Sequence, residues 1–123
     1  MTTTTKTQVE AMLKAFEAKD TEALLDYFAE DSIFFDPHYP EPQMQGKAAI
    51  KQGFEHAFSI IAKPGFQLRN FWGNGRTAAA EVDTHHILQD GSEIRFPQVF
   101  ILEMQDDLLT RLQCYVPYPP PAA

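Results

Sequence analysis

Hydrophobic and polar positions follow two different periods along this chain, and the change comes near Phe66. Val9, Met12, Leu13 and Phe16 recur at the spacing of one helix face; Lys19-Asp20-Thr21 then supplies a stop and a cap for a second helix carrying Leu24, Leu25 and Phe28. Residues 32–36 form a β-type run that ends in Asp36-Pro37-His38-Tyr39-Pro40-Glu41-Pro42, where three prolines forbid regular structure. Gly46-Lys47 opens a third helix whose Ile50, Phe54, Phe58 and Ile61 share a stripe, and Pro64-Gly65 closes it. From Phe66 onward the period is that of strands, punctuated by Asn74-Gly75, Asp90-Gly91 and Asp106-Asp107. Helix, helix, strand, helix and a four-stranded antiparallel meander together predict an α+β domain with its helices on one face of the sheet. One domain is expected over 1–123, with flexible tails at 1–7 and 118–123, because Pro117-Tyr118-Pro119-Pro120-Pro121 cannot join a ladder.

Turns fix register, and register fixes which side chains share a face. Two-residue turns at Asn74-Gly75 and Asp90-Gly91 would set Trp72 opposite Thr77, Leu68 opposite Glu81, Ile87 opposite Ile94 and His85 opposite Phe96. One face would then carry Phe66, Leu68, Trp72, Ile87, Ile94, Phe96, Phe100, Leu102 and Met104, with Asn70, Glu81, Asp83, His85 and Gln98 among them. Large apolar groups around a few polar ones describe a ligand cavity, since a plain core would leave those polar groups unpaired. The opposite face would hold Arg69, Val82, Thr84, His86, Arg95, Val99 and Ile101, a mixture suited to solvent or to a homodimer contact. A β-bulge would invert these faces beyond its position.

Charge narrows the partners. Ten lysines and arginines stand against 17 aspartates and glutamates, a net charge of -7, and the basic residues are scattered singly, which disfavours nucleic acid. No membrane-length apolar run and no signal-type N-terminus appears, so the cytoplasm is the expected compartment. The single cysteine, Cys114, excludes an internal disulfide and reads as a small buried hydrophobe. No glycine-rich phosphate loop and no short metal-ligand spacing is present, so neither a cofactor nor a metal is expected.

Tyr27-Phe28-Ala29-Glu30-Asp31-Ser32-Ile33-Phe34-Phe35-Asp36-Pro37, followed by Gly46-Lys47-Ala48-Ala49-Ile50, resembles the SnoaL-like polyketide cyclase and ketosteroid isomerase superfamily, of nuclear transport factor 2-like fold. The resemblance covers nearly the whole chain. It implies a conical barrel with three N-terminal helices packed against a strongly curved, mainly antiparallel sheet, dimers through the outer sheet face, and cofactor-free chemistry. It also implies that Asp36 is a proton-shuttling base. The isomerases' two substrate-polarising donors align with Met12 and Phe100, neither of which can donate. The cyclases' strand histidine aligns with Thr84-His85-His86, and the face arithmetic selects His85.

The expected site is thus Asp36 with His85 and Asp83, whose i, i+2 spacing on a strand points both side chains one way. His38, Tyr39, Trp72, Gln98, Phe100 and Phe54 are the expected substrate contacts. His56 reads as a solvated helix residue, and Asp36 before proline is also an ordinary turn starter. Three readings stand: an isomerase, lyase or cyclase acting on a small hydrophobic carbonyl compound; a non-catalytic domain for a hydrophobic ligand or for dimerisation; and, last, an epoxide-opening hydrolase.

Overall fold

The computed structural model describes residues 6–117. Helix α1 (Lys6–Glu17) and helix α2 (Thr21–Leu25) lead into strand β1 (Phe28–Phe35), strand β2 (Gln43–Gln45) and helix α3 (Lys47–Ile60). Strands β3 (Ile61–Lys63), β4 (Phe66–Gly73), β5 (Thr77–Leu88), β6 (Glu93–Gln105) and β7 (Leu108–Tyr115) complete the chain. The sheet runs β2-β1-β7-β6-β5-β3, with β4 also pairing β5, and every pairing is antiparallel except β1 with β7. This is the expected α+β cone. Helix α1 already includes residues 6 and 7, which the sequence assigned to a tail. Residues 1–5 of the expected N-terminal tail and the whole expected C-terminal tail, 118–123, lie outside the described residues.

Local chemistry sets the boundaries. Lys19 adopts a left-handed φ of 56°, its N–H and that of Asp20 bonding back to Phe16 and Ala15, and the Asp20 side chain caps α2 through the Ala23 N–H. Phe28 was expected on α2 but opens β1 instead, with no exposed surface. It packs against Phe34 and Phe54 at ring separations of 6.3 and 5.9 Å, so tertiary burial outweighs the helical spacing. Short strands β2 and β3 were not foreseen, because three residues carry no usable period.

Two turns decide the sheet's inner face. Between β5 and β6 the Gly91 N–H bonds to Leu88 and the Leu88 N–H to Ser92, with Gly91 at φ 88°: a three-residue loop, not the two-residue turn expected. The one extra residue moves Ile87 opposite Glu93, His86 opposite Ile94 and His85 opposite Arg95. The β6 residues Phe96, Gln98, Phe100 and Leu102 face inward as expected. On β5, however, Ala78, Ala80, Val82, Thr84, His86 and Leu88 are buried, so the assignment of Glu81, Asp83, His85 and Ile87 to that face is corrected.

On β4, Trp72 pairs with Ala79 and travels outward with the odd residues of β5, 56% exposed. A register shift between Leu68 and Asn70 then restores Leu68 and Phe66 to the inside, where both pack on the core with Phe71. The core sits between α1, α3 and the concave sheet face, centred on Phe28, Ile50, Leu24, Leu102 and Leu109. No helix among the described residues is long and apolar enough to cross a membrane.

A Cβ added at Gly91 would meet nothing within 4 Å, so only its left-handed backbone resists a side chain. Gly91→Val is expected to lower stability by about 1 to 2 kcal/mol, measured by denaturant titration; an unchanged midpoint would mean that the loop is not held as described.

Candidate functional site

Asp36 ends β1 and enters the proline loop, where geometry fixes it twice. Its backbone N–H bonds to the Pro42 carbonyl at 2.9 Å, pinning the loop's ends together, and its Oδ1 accepts the His38 N–H at 2.9 Å. The second bond is an Asx-type turn that any aspartate before proline could make. Burial is what changes its character: Asp36 is only 8% exposed, at the wall of a cavity of about 330 Å³.

The cavity lies between the helices and the concave sheet. Apolar walls come from Met12 and Phe16 of α1, Phe54 of α3, Phe66 of β4 and Phe96 and Phe100 of β6. Phe54 is the hub of the aromatic packing, with ring centroids 5.5 Å from Phe34, 6.0 Å from Phe16 and 6.3 Å from Phe58. The polar groups among these walls are Asp36, His38 and Tyr39 of the loop, His86 of β5, Gln98 of β6 and Cys114 of β7, with the exposed His56 at the rim.

Desolvation by this wall pushes the Asp36 carboxyl above the ordinary aspartate range, against the opposing pull of the His38 N–H and charge and a hydrogen bond from the Cys114 thiol. Burial first, and then the Asp36 charge, drives the Tyr39 phenol and the Cys114 thiol well upward, so both keep their protons. Among the described residues no arginine or lysine lines the cavity. Asp36 is therefore a buried carboxyl held by the His38 N–H and the Cys114 thiol, with no lysine or arginine partner among the described residues.

His86 is the residue that sequence reasoning missed. It is 5% exposed, its ring 5.2 Å from Phe66 at 81° and 6.1 Å from Phe16 at 22°. Its Nδ1 accepts the Gly65 N–H at 3.2 Å. A nitrogen that accepts carries no hydrogen, so the neutral ring bears its proton on Nε2. Burial, then the neighbouring His85, lowers its pKa to about 4, which keeps the imidazole neutral at physiological pH.

The other expected residues separate cleanly. His38, Tyr39, Gln98, Phe100 and Phe54 all line the cavity with Asp36. His85, Asp83 and Trp72 do not. His85 lies on the outer face and pairs with Glu93 at 2.6 Å, while Asp83 takes a 2.5 Å contact from Arg69. Both bonds are between half-exposed side chains and account for those residues as surface ion pairs. The signal that could have found His86 lies within β5 itself: Val82, Thr84, His86 and Leu88 form the less charged alternate set, against Glu81, Asp83, His85 and Ile87.

Gln98 donates from Nε2 to the Thr84 hydroxyl at 2.7 Å, a buried bond that fixes its amide between Phe96 and Phe100. Met12 and Phe100, the positions aligned with the isomerases' donors, line the cavity as hydrocarbon. Among the described residues no group of three or more His, Cys, Asp or Glu side chains is arranged to hold a metal ion.

Residues 9–112 match the sequence family described as the SnoaL-like domain. No curated protein matches the chain in sequence. In structure it is similar to a protein of ketosteroid isomerase-like fold from Catenulispora acidiphila, solved in complex with trimethylamine, at 20% identity and a TM-score of 0.80, over 91% of this chain and 86% of that one. It is also similar to a protein from Xanthomonas campestris provisionally named a polyketide cyclase, at 23% identity and a TM-score of 0.74, over 88% and 86%. A third likeness is to a Mycobacterium tuberculosis epoxide hydrolase of the LEH-like kind, at 14% identity and a TM-score of 0.76, over 89% and 80%. At these identities the likenesses establish the fold, and the three differ in the chemistry their names carry.

The neutral state of His86 has a consequence for stability. An unfolded histidine binds its proton near pH 6.5, so the unfolded chain gains a proton between there and about pH 4 that the folded chain refuses. The stability tied to His86 is complete above pH 6.5 and is lost as pH falls toward 4, by on the order of 3 kcal/mol. Denaturant midpoints of wild type and His86→Gln, compared at pH 7 and pH 4, should diverge by that amount, the glutamine keeping an acceptor for Gly65. Parallel pH curves would show that His86 titrates freely.

Proposed function

We propose, from the fact that this chain belongs to the SnoaL-like domain family, that its cavity is the active site of a cofactor-independent acid-base enzyme, an isomerase, lyase or cyclase acting on a small, mainly apolar carbonyl compound. The observation that carries this reading is the pairing, in one apolar chamber, of an unbridged carboxylate with a neutral imidazole whose proton is on Nε2. The carboxylate of Asp36 removes a proton from the carbon next to the carbonyl. As that C–H bond breaks, its electron pair moves into a carbon-carbon double bond and the carbonyl pair onto oxygen, giving an enolate. Asp36, now a carboxylic acid, returns the proton to another carbon to complete a double-bond shift; in a lyase the leaving group takes that proton as it departs, and in a cyclase the enolate carbon attacks a second carbonyl carbon of the substrate, whose π pair moves to oxygen and takes the proton.

Enolate oxygen needs a donor, and hydrocarbon at Met12 and Phe100 supplies none. His86 takes that part here. A neutral imidazole polarises a carbonyl by donating its Nε2–H, and because the neutral ring is a very weak acid it gives a hydrogen bond rather than its proton, while the low pKa keeps it in that neutral form. The phenol of Tyr39, held protonated, is the second available donor.

The second reading is a pocket that holds an apolar ligand without turning it over. The observation favouring it is the same hydrocarbon at Met12 and Phe100. A carbonyl substrate panel separates the two. Asp36→Asn should reduce kcat by roughly 10² to 10⁴, His86→Phe should lower kcat more than it alters KM, and His85→Gln should leave both unchanged. The acid limb of kcat/KM should fall at a pH above the ordinary aspartate pKa, since the base is lost as it gains a proton. Full activity in Asp36→Asn would remove the proposed base, and no turnover of any compound would favour the second reading.

A homodimer through the outer sheet face belongs to the same proposal. Trp72 and Tyr115 are each 56% exposed there, beside Ala79, Ile101 and Val99 on adjoining ladder rows. Exposed aromatics across a sheet face are what subunit contacts cover. Sedimentation should give a dimer for the wild type and a monomer for Trp72→Glu; a monomeric wild type at micromolar concentration would reject it.

A further inference from the structure

Among the described residues that line the cavity, Asp36 is the one carboxyl group, and the three histidines are the other side chains there that titrate near neutral pH. Around it stand seven phenylalanines, Phe16, Phe28, Phe34, Phe54, Phe66, Phe96 and Phe100, together with Tyr39. A buried carboxylate without a lysine or arginine beside it lacks the partner such a group ordinarily has, and removing the partner of a buried pair ordinarily costs several kcal/mol. The charge is held by hydrogen-bond donors that stay with the protein: the His38 N–H and the Cys114 thiol. Among the described residues no lysine or arginine lines the cavity beside it.

We infer that the cavity is a binding site for a small organic ammonium ion, a protonated amine with apolar or aromatic substituents, seated with its N–H toward Asp36 and its hydrocarbon against the phenylalanines. The inference rests on Asp36 being ionised inside the chamber, the premise it shares with the acid-base reading, and it names a ligand class that reading does not.

Three features of the site select this class over other ligands. An anion would meet Asp36 as a like charge, with His86 neutral and no lysine or arginine among the described lining residues to offset the repulsion. A metal ion needs several oxygen or nitrogen ligands in one shell, and the described residues hold no such cluster. An alkylammonium ion asks for neither. Its diffuse charge is stabilised by the negative faces of aromatic rings, its N–H matches the carboxylate, and its carbon skeleton occupies surface that water wets poorly. The whole-chain charge of -7 raises the local concentration of cations at the mouth. The chamber of about 330 Å³ corresponds to about 11 waters at roughly 30 Å³ each, room for one aromatic ring with a short amine arm.

An amine and a carbonyl substrate would compete for the one carboxylate. Bound amines would therefore inhibit turnover competitively, or the natural substrate would carry both groups.

The test compares two probes of one shape and different charge: N,N-dimethylbenzylamine, a cation at neutral pH, and isobutylbenzene, in which carbon replaces the nitrogen. Dissociation constants are measured by protein-observed NMR at pH 7 for wild type and for Asp36→Asn, with cavity-lining resonances as the readout. The amide in Asp36→Asn keeps an oxygen acceptor for His38 and lacks the charge that burial opposes, so the variant is expected to fold. Retained isobutylbenzene binding by the variant verifies that its cavity is intact.

Wild type should bind the cation at least tenfold more tightly than the hydrocarbon, and Asp36→Asn should lose or reverse that preference. Equal affinity of wild type for both probes, no binding of either at millimolar concentration, or a cation affinity unaffected by Asp36→Asn would each overturn the inference. Failure here is separable from failure of the catalytic reading. Turnover of a carbonyl compound by a protein that ignores the amine keeps the enzyme and removes the ammonium site; tight amine binding with no turnover does the opposite.

Discussion

The phase of β5 against β6 is the constraint on which the site depends. Side chains on a strand alternate with a period of two, so a shift of one residue exchanges every inward group for its neighbour. The loop over Gln89, Asp90 and Gly91 sets that phase, helped by the Asp90 carboxylate, which takes both the Ser92 N–H at 2.9 Å and its hydroxyl at 2.6 Å. With this loop, the ring of His86 enters the aromatic chamber and that of His85 meets Glu93 outside. A loop shorter by one residue would put His85, Asp83 and Glu81 into hydrocarbon, at the cost of burying two carboxylates. The observed phase is the one in which the charged residues find partners at the surface.

Inside the chamber, chemistry follows from scarcity of polar partners. Desolvation moves the Asp36 carboxyl upward and the His86 imidazole downward, and each shift favours the neutral form. The two groups thus lie closer in acidity than they would in water. The supports are backbone groups: the His38 N–H on Asp36 and the Gly65 N–H on His86. Gly65 is suited to that place by its size, since a Cβ there would come within 2.6 Å of the His85 carbonyl. The close approach lets the Pro64-Gly65 turn serve the histidine as well as join β3 to β4.

Much of the fold was legible in order of residues alone. The three helices, the long strands and their turns, and the general α+β arrangement follow from periodicity and from Gly, Pro, Asn and Asp at the turns. Six of the nine expected site residues, Asp36, His38, Tyr39, Gln98, Phe100 and Phe54, reach the cavity wall, because each sits on β6, on α3 or in the proline loop, where the expected face was right. His85, Asp83 and Trp72 failed together, for one reason. All three were placed on the face of the odd-numbered β5 residues, which the three-residue loop into β6 turns outward, and the register shift between Leu68 and Asn70 that brings Phe66 and Leu68 inside leaves Trp72 outside.

The sequence by itself determined which residue types could do chemistry, a carboxylate at the end of a strand, a histidine pair and a rich supply of phenylalanine, together with the elements that carry them. Only the tertiary structure decided which histidine of the pair shares a chamber with Asp36 and how far that carboxylate is removed from water. The physical reason is that element type arises from spacing within a segment, whereas facing and desolvation arise between segments. A single loop residue, invisible to any local period, sets the first, and the packing of helices over the sheet sets the second.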